Sequence, residues 1–171
     1  AKKIANEISK VFNLADYIPY KNNDEWKESQ YYYYNTEEEG IKILESILTH
    51  IVCNNIPPNE ITILSAHLSP YKNENSMAYK IDRNKYEIDN ISLYDHLFSR
   101  TKKINFCSIY RFKGIKNSYI ILIEVDNKMD LNIFHNLLCT GMSRVQFNLS
   151  VLVNSNIKAK VDDLIKNSSQ I

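Results

Sequence analysis

Hydrophobic and polar positions follow two different periods along this chain, and the changes between them predict an α/β architecture. Residues 2–14 and the stretch after Thr36 carry apolar side chains every three or four positions, which is typical of amphipathic helices. The runs Gln30–Tyr34, Ile61–Leu64 and 119–125 are short and mostly apolar or aromatic, which is typical of strands. Strands that alternate with helices predict a mostly parallel sheet flanked by helices on both faces.

The other predicted elements are shorter or lie later in the chain. Ser69-Pro70 is expected to open a helix that runs to about Lys80, followed by a short strand within Tyr86–Ile91 and a helical turn at Ser92–Phe98. The last third alternates, with strands at 103–109, 119–125 and 147–153 and helices at 131–143 and 157–166. No linker or repeat interrupts the pattern, so residues 1–171 are expected to form one three-layer α/β domain.

The helix after the first strand has clear boundary signals. Asn35 or Thr36 is expected to cap it, and Glu37–Glu39 place negative charge in the first turn, where the helix dipole favours acids. Pro57-Pro58 requires the helix to end before them.

Composition limits the classes of function. With 171 residues, 44% of them hydrophobic and 24% charged, the chain has the make-up of an ordinary soluble domain. No apolar run approaches the roughly 20 residues that cross a bilayer, and no secretory signal is visible, so we expect a cytoplasmic protein without a membrane partner. The net charge of +1 argues against a broad basic clamp, so any nucleic-acid contact should be local.

The cysteines and the first residues add two expectations. Cys53, Cys107 and Cys139 show no CxxC pairing and sit among apolar residues, so they are interpreted as small hydrophobes in a reducing compartment. The sequence starts at Ala1 inside a helical pattern, which suggests a piece of a longer protein.

The segment Ser108–Lys116 carries the strongest functional signal, because it places a hydroxyl, aromatic rings, cations and a glycine between two predicted strands. Gly114 would let the backbone approach a ligand and Lys113 would neutralise phosphate, although an exposed basic turn is the alternative. Tyr110 and Phe112 are candidates for stacking on bases, while Phe112 could instead fill the core.

Arg144 is the second candidate, because it follows a predicted helix and precedes an apolar strand. It either pairs with a neighbour such as Glu124 or Asp126, or acts as an arginine finger on a transferred phosphoryl group. Glu124 and Asp126 share a strand face and could form a metal pair, but we expect them to be solvated caps. The chain has no G-x-x-x-x-G-K-S/T motif, so it is not expected to bind and split ATP alone.

At these residues the chain resembles the second, C-terminal RecA-like domain of superfamily 1 helicases of the UvrD/Rep type. Ser108–Lys116 resembles helicase motif V, T-x-H-x-x-K-G-L-E, and Leu137–Val145 resembles motif VI, L-x-Y-V-A-x-T-R-A. Ile61–Ser65, with Glu74-Asn75-Ser76 after it, resembles the strand and helix between motifs IV and V. The short distance from this strand to the next leaves no room for the large inserted subdomain, so the likeness is to the compact UvrD-like ATP-binding proteins.

The resemblance implies roles for individual residues. Arg144 matches the motif VI arginine that reaches the γ-phosphate across the interdomain cleft, and Lys113 and Gly114 match the motif V pair that couples this cleft to the DNA track. Ser108 and Tyr110 match the positions near the single-strand backbone and bases. The implied DNA-binding residues are therefore Ser108, Tyr110 and Arg111, and the implied ATP-binding residues are Lys113, Gly114, Lys116 and Arg144.

Two positions depart from the family pattern. Lys116 stands where the family has the glutamate that contacts the nucleotide sugar, and Tyr110 stands where it has a histidine.

The implied fold is RecA-like, of the P-loop NTPase type, and the implied function is an ATP-dependent DNA helicase or translocase. ATP with Mg²⁺ would bind mainly to an N-terminal RecA-like domain of the same protein, and single-stranded or partly duplex DNA would pass over both domains. The chain alone is expected to hold no cofactor and to be inactive.

The sequence leaves one other class of protein open and argues against a second. The alternative is a non-catalytic nucleic-acid or protein docking module with a degenerate nucleotide site, as the departure at Lys116 would allow. A receiver-like or flavodoxin-like domain would need an acidic pocket or a phosphate loop after the first strand, and the sequence indicates neither.

Overall fold

A six-stranded sheet, parallel throughout, lies at the centre of the computed structural model, which describes residues 30–90, 102–111, 119–129 and 148–160. Its strands are β1 (Gln30–Tyr34), β2 (Ile61–Ser65), β3 (Ile88–Asn90), β4 (Ile104–Ser108), β5 (Tyr119–Val125) and β6 (Asn148–Asn154). They are arranged in the order β1-β6-β5-β2-β4-β3. The α/β class and the parallel sheet predicted from the sequence are confirmed.

Helix α1 (Glu37–Cys53) follows β1 and starts as the sequence predicts. The hydroxyl oxygen of Thr36 accepts a hydrogen bond from the amide of Glu39 at 3.2 Å, which makes Thr36 the N-cap. The helix ends at Cys53, before the two prolines, and buries an apolar face made of Leu44, Ile47, Leu48 and Ile51.

The core lies between this face of α1 and the sheet. The helix packs with Ile63, Ile121 and Leu152 from the central strands, all of them fully buried. Each such aliphatic side chain contributes roughly 1.5–3 kcal/mol when it leaves water. Every residue of β2 and of β4 is buried, so both faces of these central strands are covered, as in a three-layer α/β domain.

The predicted helix from Ser69 to about Lys80 is wrong. This stretch instead forms two short 3-10 turns, Lys72–Glu74 and Met77–Tyr79. Asn73 and Glu74 have φ angles of 57° and 51°, in the left-handed region that an α-helix cannot contain. The Ser69-Pro70 signal that suggested a helix start therefore does not determine the conformation of this segment.

The remaining predicted elements are described in part. The predicted strand at 147–153 is found as β6, and the predicted helix at 157–166 begins as a 3-10 turn, Ser155–Ile157, followed by helical residues 158–160. The helices predicted at 2–14, Ser92–Phe98 and 131–143 lie outside the described residues. In the described part of the chain, no helix has the length and apolar character needed to span a membrane.

Candidate functional site

The sheet has a topological switch point between the neighbouring strands β2 and β5, because the connections that follow these two strands run in opposite directions. The connection after β2 leads toward β3 on one side, whereas the connection after β5 leads to β6 on the other side. A crevice forms at the carboxyl edge of a parallel sheet at such a switch point, and α/β proteins commonly bind ligands there. In this protein, polar residues that end or follow β2 and β5 meet at that crevice.

Five of these residues form a connected group, here called the His67 cluster: Ser65, His67, Ser76, Glu124 and Asp126. The ring atom Nε2 of His67 lies 2.9 Å from both carboxylate oxygens of Asp126, and Nδ1 lies 3.5 Å from Oε2 of Glu124. The hydroxyl groups of Ser65 and Ser76 donate hydrogen bonds to Oε1 of Glu124 at 2.8 and 2.5 Å. One histidine and two hydroxyl groups thus supply hydrogen bonds and ion-pair contacts to two carboxylates.

Glu124 and Asp126 are not the solvated caps that the sequence predicts. Only 8% of the Glu124 side chain and 14% of the Asp126 side chain are exposed. A carboxylate this far from water is stable only when it is paired, and His67 occupies the space between the two. Among the residues that the structure describes, no group of His, Cys, Asp or Glu side chains is arranged to hold a metal ion.

The cluster favours the protonated form of His67. The hydrogen bond to Asp126 raises the pKa of His67 above 6.5, burial opposes this effect, and the charge of Glu124 adds to it. Tyr34 stands beside the same carboxylates at the end of β1. Burial, together with the charges of Asp126 and Glu124, raises the pKa of Tyr34 well above its usual range, so its hydroxyl group keeps its proton.

The backbone of β5 is irregular where it joins the cluster. Glu124 has a φ angle of 63°, and the pairing register between β5 and β6 shifts between Leu122 and Val125. A bulge of this kind re-aims side chains at the end of a strand. A left-handed backbone costs a residue with a Cβ atom roughly 1–2 kcal/mol, which the hydrogen bonds to Glu124 must offset.

A cavity of about 250 Å³ opens beside the cluster. Its lining is mixed in charge and includes Tyr34, Lys72, Asn75, Asp126, Lys128 and Asn154. A second groove, of about 460 Å³, lies at the opposite edge, where α1 faces the first residues of β1, β5 and β6.

The His67 cluster contacts the start of the predicted DNA-binding segment. Ser108 ends β4, and its hydroxyl group donates a hydrogen bond to the carbonyl oxygen of His67 at 2.6 Å. The amide of Ser108 donates to the hydroxyl oxygen of Tyr71 at 2.9 Å. After Ser108 the chain makes a 3-10 turn, Ile109–Arg111, whose last residue holds its guanidinium 5.7 Å from the centre of the Tyr71 ring.

The three residues predicted to bind DNA differ in exposure. Ser108 is fully buried, Tyr110 is half-buried and Arg111 is exposed. The side chains of Tyr110 and Arg111 therefore reach the surface, whereas the Ser108 hydroxyl is engaged inside the protein. DNA contact by all three stays a prediction. Phe112, Lys113, Gly114, Lys116 and Arg144 lie outside the described residues, so their roles stay predictions as well.

Sequence reasoning missed His67, Ser65, Ser76 and Tyr71. One signal was present, because polar residues follow the buried run Ile61–Leu64 and interrupt the end of 119–125. What the sequence does not contain is the adjacency of β2 and β5, which brings these two strand ends together.

The fold is shared with a solved structure, the C-terminal domain of a possible DNA helicase from Lactobacillus plantarum WCFS1. The two chains align with a TM-score of 0.66 and 12% sequence identity, over 90% of this chain and 85% of that one. No family model and no curated protein matches this sequence. At this identity the likeness establishes the fold, and the chain has the RecA-like α/β fold that its sequence predicted.

Proposed function

We propose that this chain is the C-terminal motor domain of an ATP-dependent DNA helicase or translocase. It would supply the motif V-like segment and Arg144 to an ATP site shared with an N-terminal RecA-like domain. The proposal is carried by the agreement of two independent observations, the fold shared with the C-terminal domain of a possible DNA helicase and the motif-like segments of the sequence.

The positions of the strand ends support this division of roles. Lys113 and Lys116 belong to the stretch between the carboxyl end of β4 and Tyr119, which begins β5, and Arg144 shortly precedes Asn148, which begins β6. Tyr119 and Asn148 are register partners in the sheet. The two stretches implied in ATP binding therefore lead into neighbouring strands at the amino edge of the sheet.

The residues implied in DNA binding start at the carboxyl edge of the sheet. Ser108 is the last residue of β4, so the segment from Ser108 to Lys116 leaves the carboxyl edge of the sheet and leads into a strand that begins at the amino edge. Under the proposed function, this connection couples nucleotide and DNA. Closure of the two domains on ATP would bring Arg144 to the γ-phosphate, and hydrolysis would reopen them and move the strand.

The test is the ATPase activity of the complete protein with single-stranded DNA, compared between wild type and Arg144→Ala. An arginine finger is worth roughly 10³–10⁵ in rate, so the variant should lose turnover by about that factor while it keeps most of its ATP binding. Arg83→Ala is the matched control, because Arg83 is an exposed arginine that lies over the Tyr79 ring. It should turn over ATP like the wild type, and this chain alone should be silent.

Two results would overturn the proposal in different ways. Turnover that survives Arg144→Ala removes Arg144 from the catalytic role. A complete protein that binds single-stranded DNA but never hydrolyses ATP would instead favour the docking module. In that case Lys116→Glu should strengthen ATP binding if the site is a degenerate form of the family's.

A further inference from the structure

We infer that Tyr71 and the His67 cluster hold the segment Ser108–Arg111 in the conformation that receives DNA. His67, Tyr71 and Asp126 would be positioning residues, and Tyr110 and Arg111 the groups they position. The structural half of this inference stands on the contacts described above, and the DNA half rests on the proposed function.

The first step is the anchoring of Ser108. Its hydroxyl group donates to the carbonyl oxygen of His67 at 2.6 Å and accepts from the amide of Tyr110 at 3.3 Å. Its own amide donates to the hydroxyl oxygen of Tyr71 at 2.9 Å. The backbone thus turns sharply after β4 around one buried hydroxyl group, and residues 67–71 supply both outside partners of Ser108.

The second step is the anchoring of His67, whose carbonyl oxygen would otherwise move with its loop. The amide of His67 donates to the hydroxyl oxygen of Ser65 at 3.1 Å, and its ring is held by Asp126 at 2.9 Å. A continuous path of contacts therefore runs from Asp126, directly after β5, through His67 to Ser108 and Tyr110. Networks of this kind fix side chains and loops whose separate contacts are weak.

The third step is the positioning of the Arg111 side chain by the ring of Tyr71. The ring of Tyr71 packs edge-on against Phe106 of β4, with 5.6 Å between centroids, and its face lies 5.7 Å from the Arg111 guanidinium. The attraction of a cation to an aromatic face limits the positions that an exposed arginine adopts. One tyrosine thus contacts the segment through its hydroxyl group at Ser108 and through its ring at Arg111.

This arrangement matters for binding because a flexible loop must be ordered when its ligand arrives, and that ordering weakens binding. A segment that is already ordered avoids this loss. Removal of a single hydrogen bond that holds the segment should therefore weaken single-stranded DNA binding by roughly three- to tenfold. The chemistry at ATP should be unaffected.

The first experiment uses this chain and does not depend on DNA. Hydrogen exchange is followed in peptides that contain Ser108–Arg111 for wild type, Tyr71→Phe and Asp126→Asn. Both variants should speed exchange there by roughly fivefold or more, since each removes one support of the segment. The matched control is Tyr86→Phe, which deletes a buried tyrosine hydroxyl bonded to Thr49 on α1, away from the segment, and should leave this exchange unchanged.

The second experiment uses the complete protein and varies the single-stranded DNA concentration in the ATPase assay. For Tyr71→Phe, the concentration that gives half-maximal stimulation should rise roughly three- to tenfold while the maximal rate is kept. A uniform loss of stability would not divide the two parameters in this way.

Three outcomes would overturn different parts of the proposal. Unchanged exchange in both variants overturns the inference, whatever the DNA data show. Faster exchange with wild-type DNA stimulation overturns its DNA half. Faster exchange in the variants of this chain, together with a complete wild-type protein that does not respond to DNA, would reject the proposed function and leave the structural half standing.

Discussion

Glu124 places a carboxylate inside the protein on a backbone whose φ angle of 63° is uncommon for a residue with a side chain. Such strain persists only where the surroundings hold it, and here the surroundings are the hydroxyl groups of Ser65 and Ser76 and the ring of His67. The side chain and the backbone at this residue can therefore be tested separately.

We expect both Glu124→Ala and Glu124→Gly to destabilise the protein, because each leaves two buried hydroxyl groups without their acceptor. The loss should be roughly 1–3 kcal/mol for each hydroxyl group. Glu124→Gly should be the more stable of the two by about 1 kcal/mol, since only glycine accepts a positive φ without cost. Chemical denaturation measures both, and an alanine variant as stable as the glycine variant would show that the backbone is unstrained.

The raised pKa of His67 should make the stability of the protein depend on pH. Its pKa is raised in the folded state, so its contribution to the free energy of unfolding is complete below the unfolded value of 6.5. That contribution is lost as the pH rises through the folded pKa. We expect wild type to lose stability above about pH 6.5 relative to His67→Gln.

The same experiment has an internal check. Asp126→Asn removes the main cause of the raised pKa of His67, so it should flatten the same part of the stability profile. Parallel profiles for wild type and His67→Gln would contradict a raised pKa at this residue.

At the scale of the element, the approach of α1 to β1 depends on the absence of one side chain. A Cβ atom at Gly40 would lie 2.9 Å from the sulfur of Met77 and 3.2 Å from the ring of Tyr34. Both neighbours are buried. Glycine inside a helix is otherwise unfavourable, so its presence indicates that close packing outweighs helix propensity at this position.

We expect Gly40→Ala to destabilise the protein by about 1 kcal/mol. Overpacking costs typically 1–3 kcal/mol, whereas alanine gains at most about 1 kcal/mol in helix propensity. In a Met77→Ala background the same change should cost less, because the nearest obstructing atom is gone. Thermal unfolding of the four proteins in this cycle measures the coupling, and strictly additive effects would contradict the contact.

The segment Ser69–Lys80 shows the limit of pattern at this scale. Ser69-Pro70 at its start predicts a helix, but Ser76 instead caps a 3-10 turn through a hydrogen bond from the amide of Ala78 at 3.3 Å. The same hydroxyl group donates to Glu124, which lies 48 positions away in the sequence. A distant contact therefore stabilises a local conformation that propensity alone does not favour.

At the scale of the whole molecule, β4 lies between β2 and β3 and is buried along its length. Its cysteine, Cys107, is inaccessible, and burial raises its pKa to about 12. Cys53, by contrast, is exposed at the end of α1. Cys53 can therefore react with a thiol reagent in the folded protein, whereas Cys107 can react only after the structure around β4 opens.

In a protein with Cys53→Ser and Cys139→Ser, we expect Cys107 to react with a thiol reagent only through global unfolding. Its labelling rate should rise with denaturant in parallel with the unfolding equilibrium followed by circular dichroism. Labelling through local opening would have a rate nearly independent of denaturant. That result would show that β4 separates from its neighbours without global unfolding. In wild type, Cys53 should label before Cys107.

Sequence alone determined the class of fold and many of the boundaries. Strands β1, β2, β5 and β6 and the capped start of α1 agree with the predicted elements, because periodicity and capping depend on neighbours a few positions away. It also predicts a ligand-binding segment at Ser108–Lys116, and that role stays a prediction. The RecA-like likeness came from motifs in this segment and in Leu137–Val145, and it agrees with the fold.

Only the tertiary structure decided which strand ends meet. Ser65 and Glu124 lie 59 positions apart, and nothing in either local pattern places β2 beside β5. Strand order is set by how all the elements pack together, so the His67 cluster and its contact with Ser108 could not be predicted from periodicity. Of the two carboxylates predicted as solvated caps, Glu124 is buried and Asp126 is mostly enclosed for the same reason, since burial depends on what the rest of the chain brings to that edge.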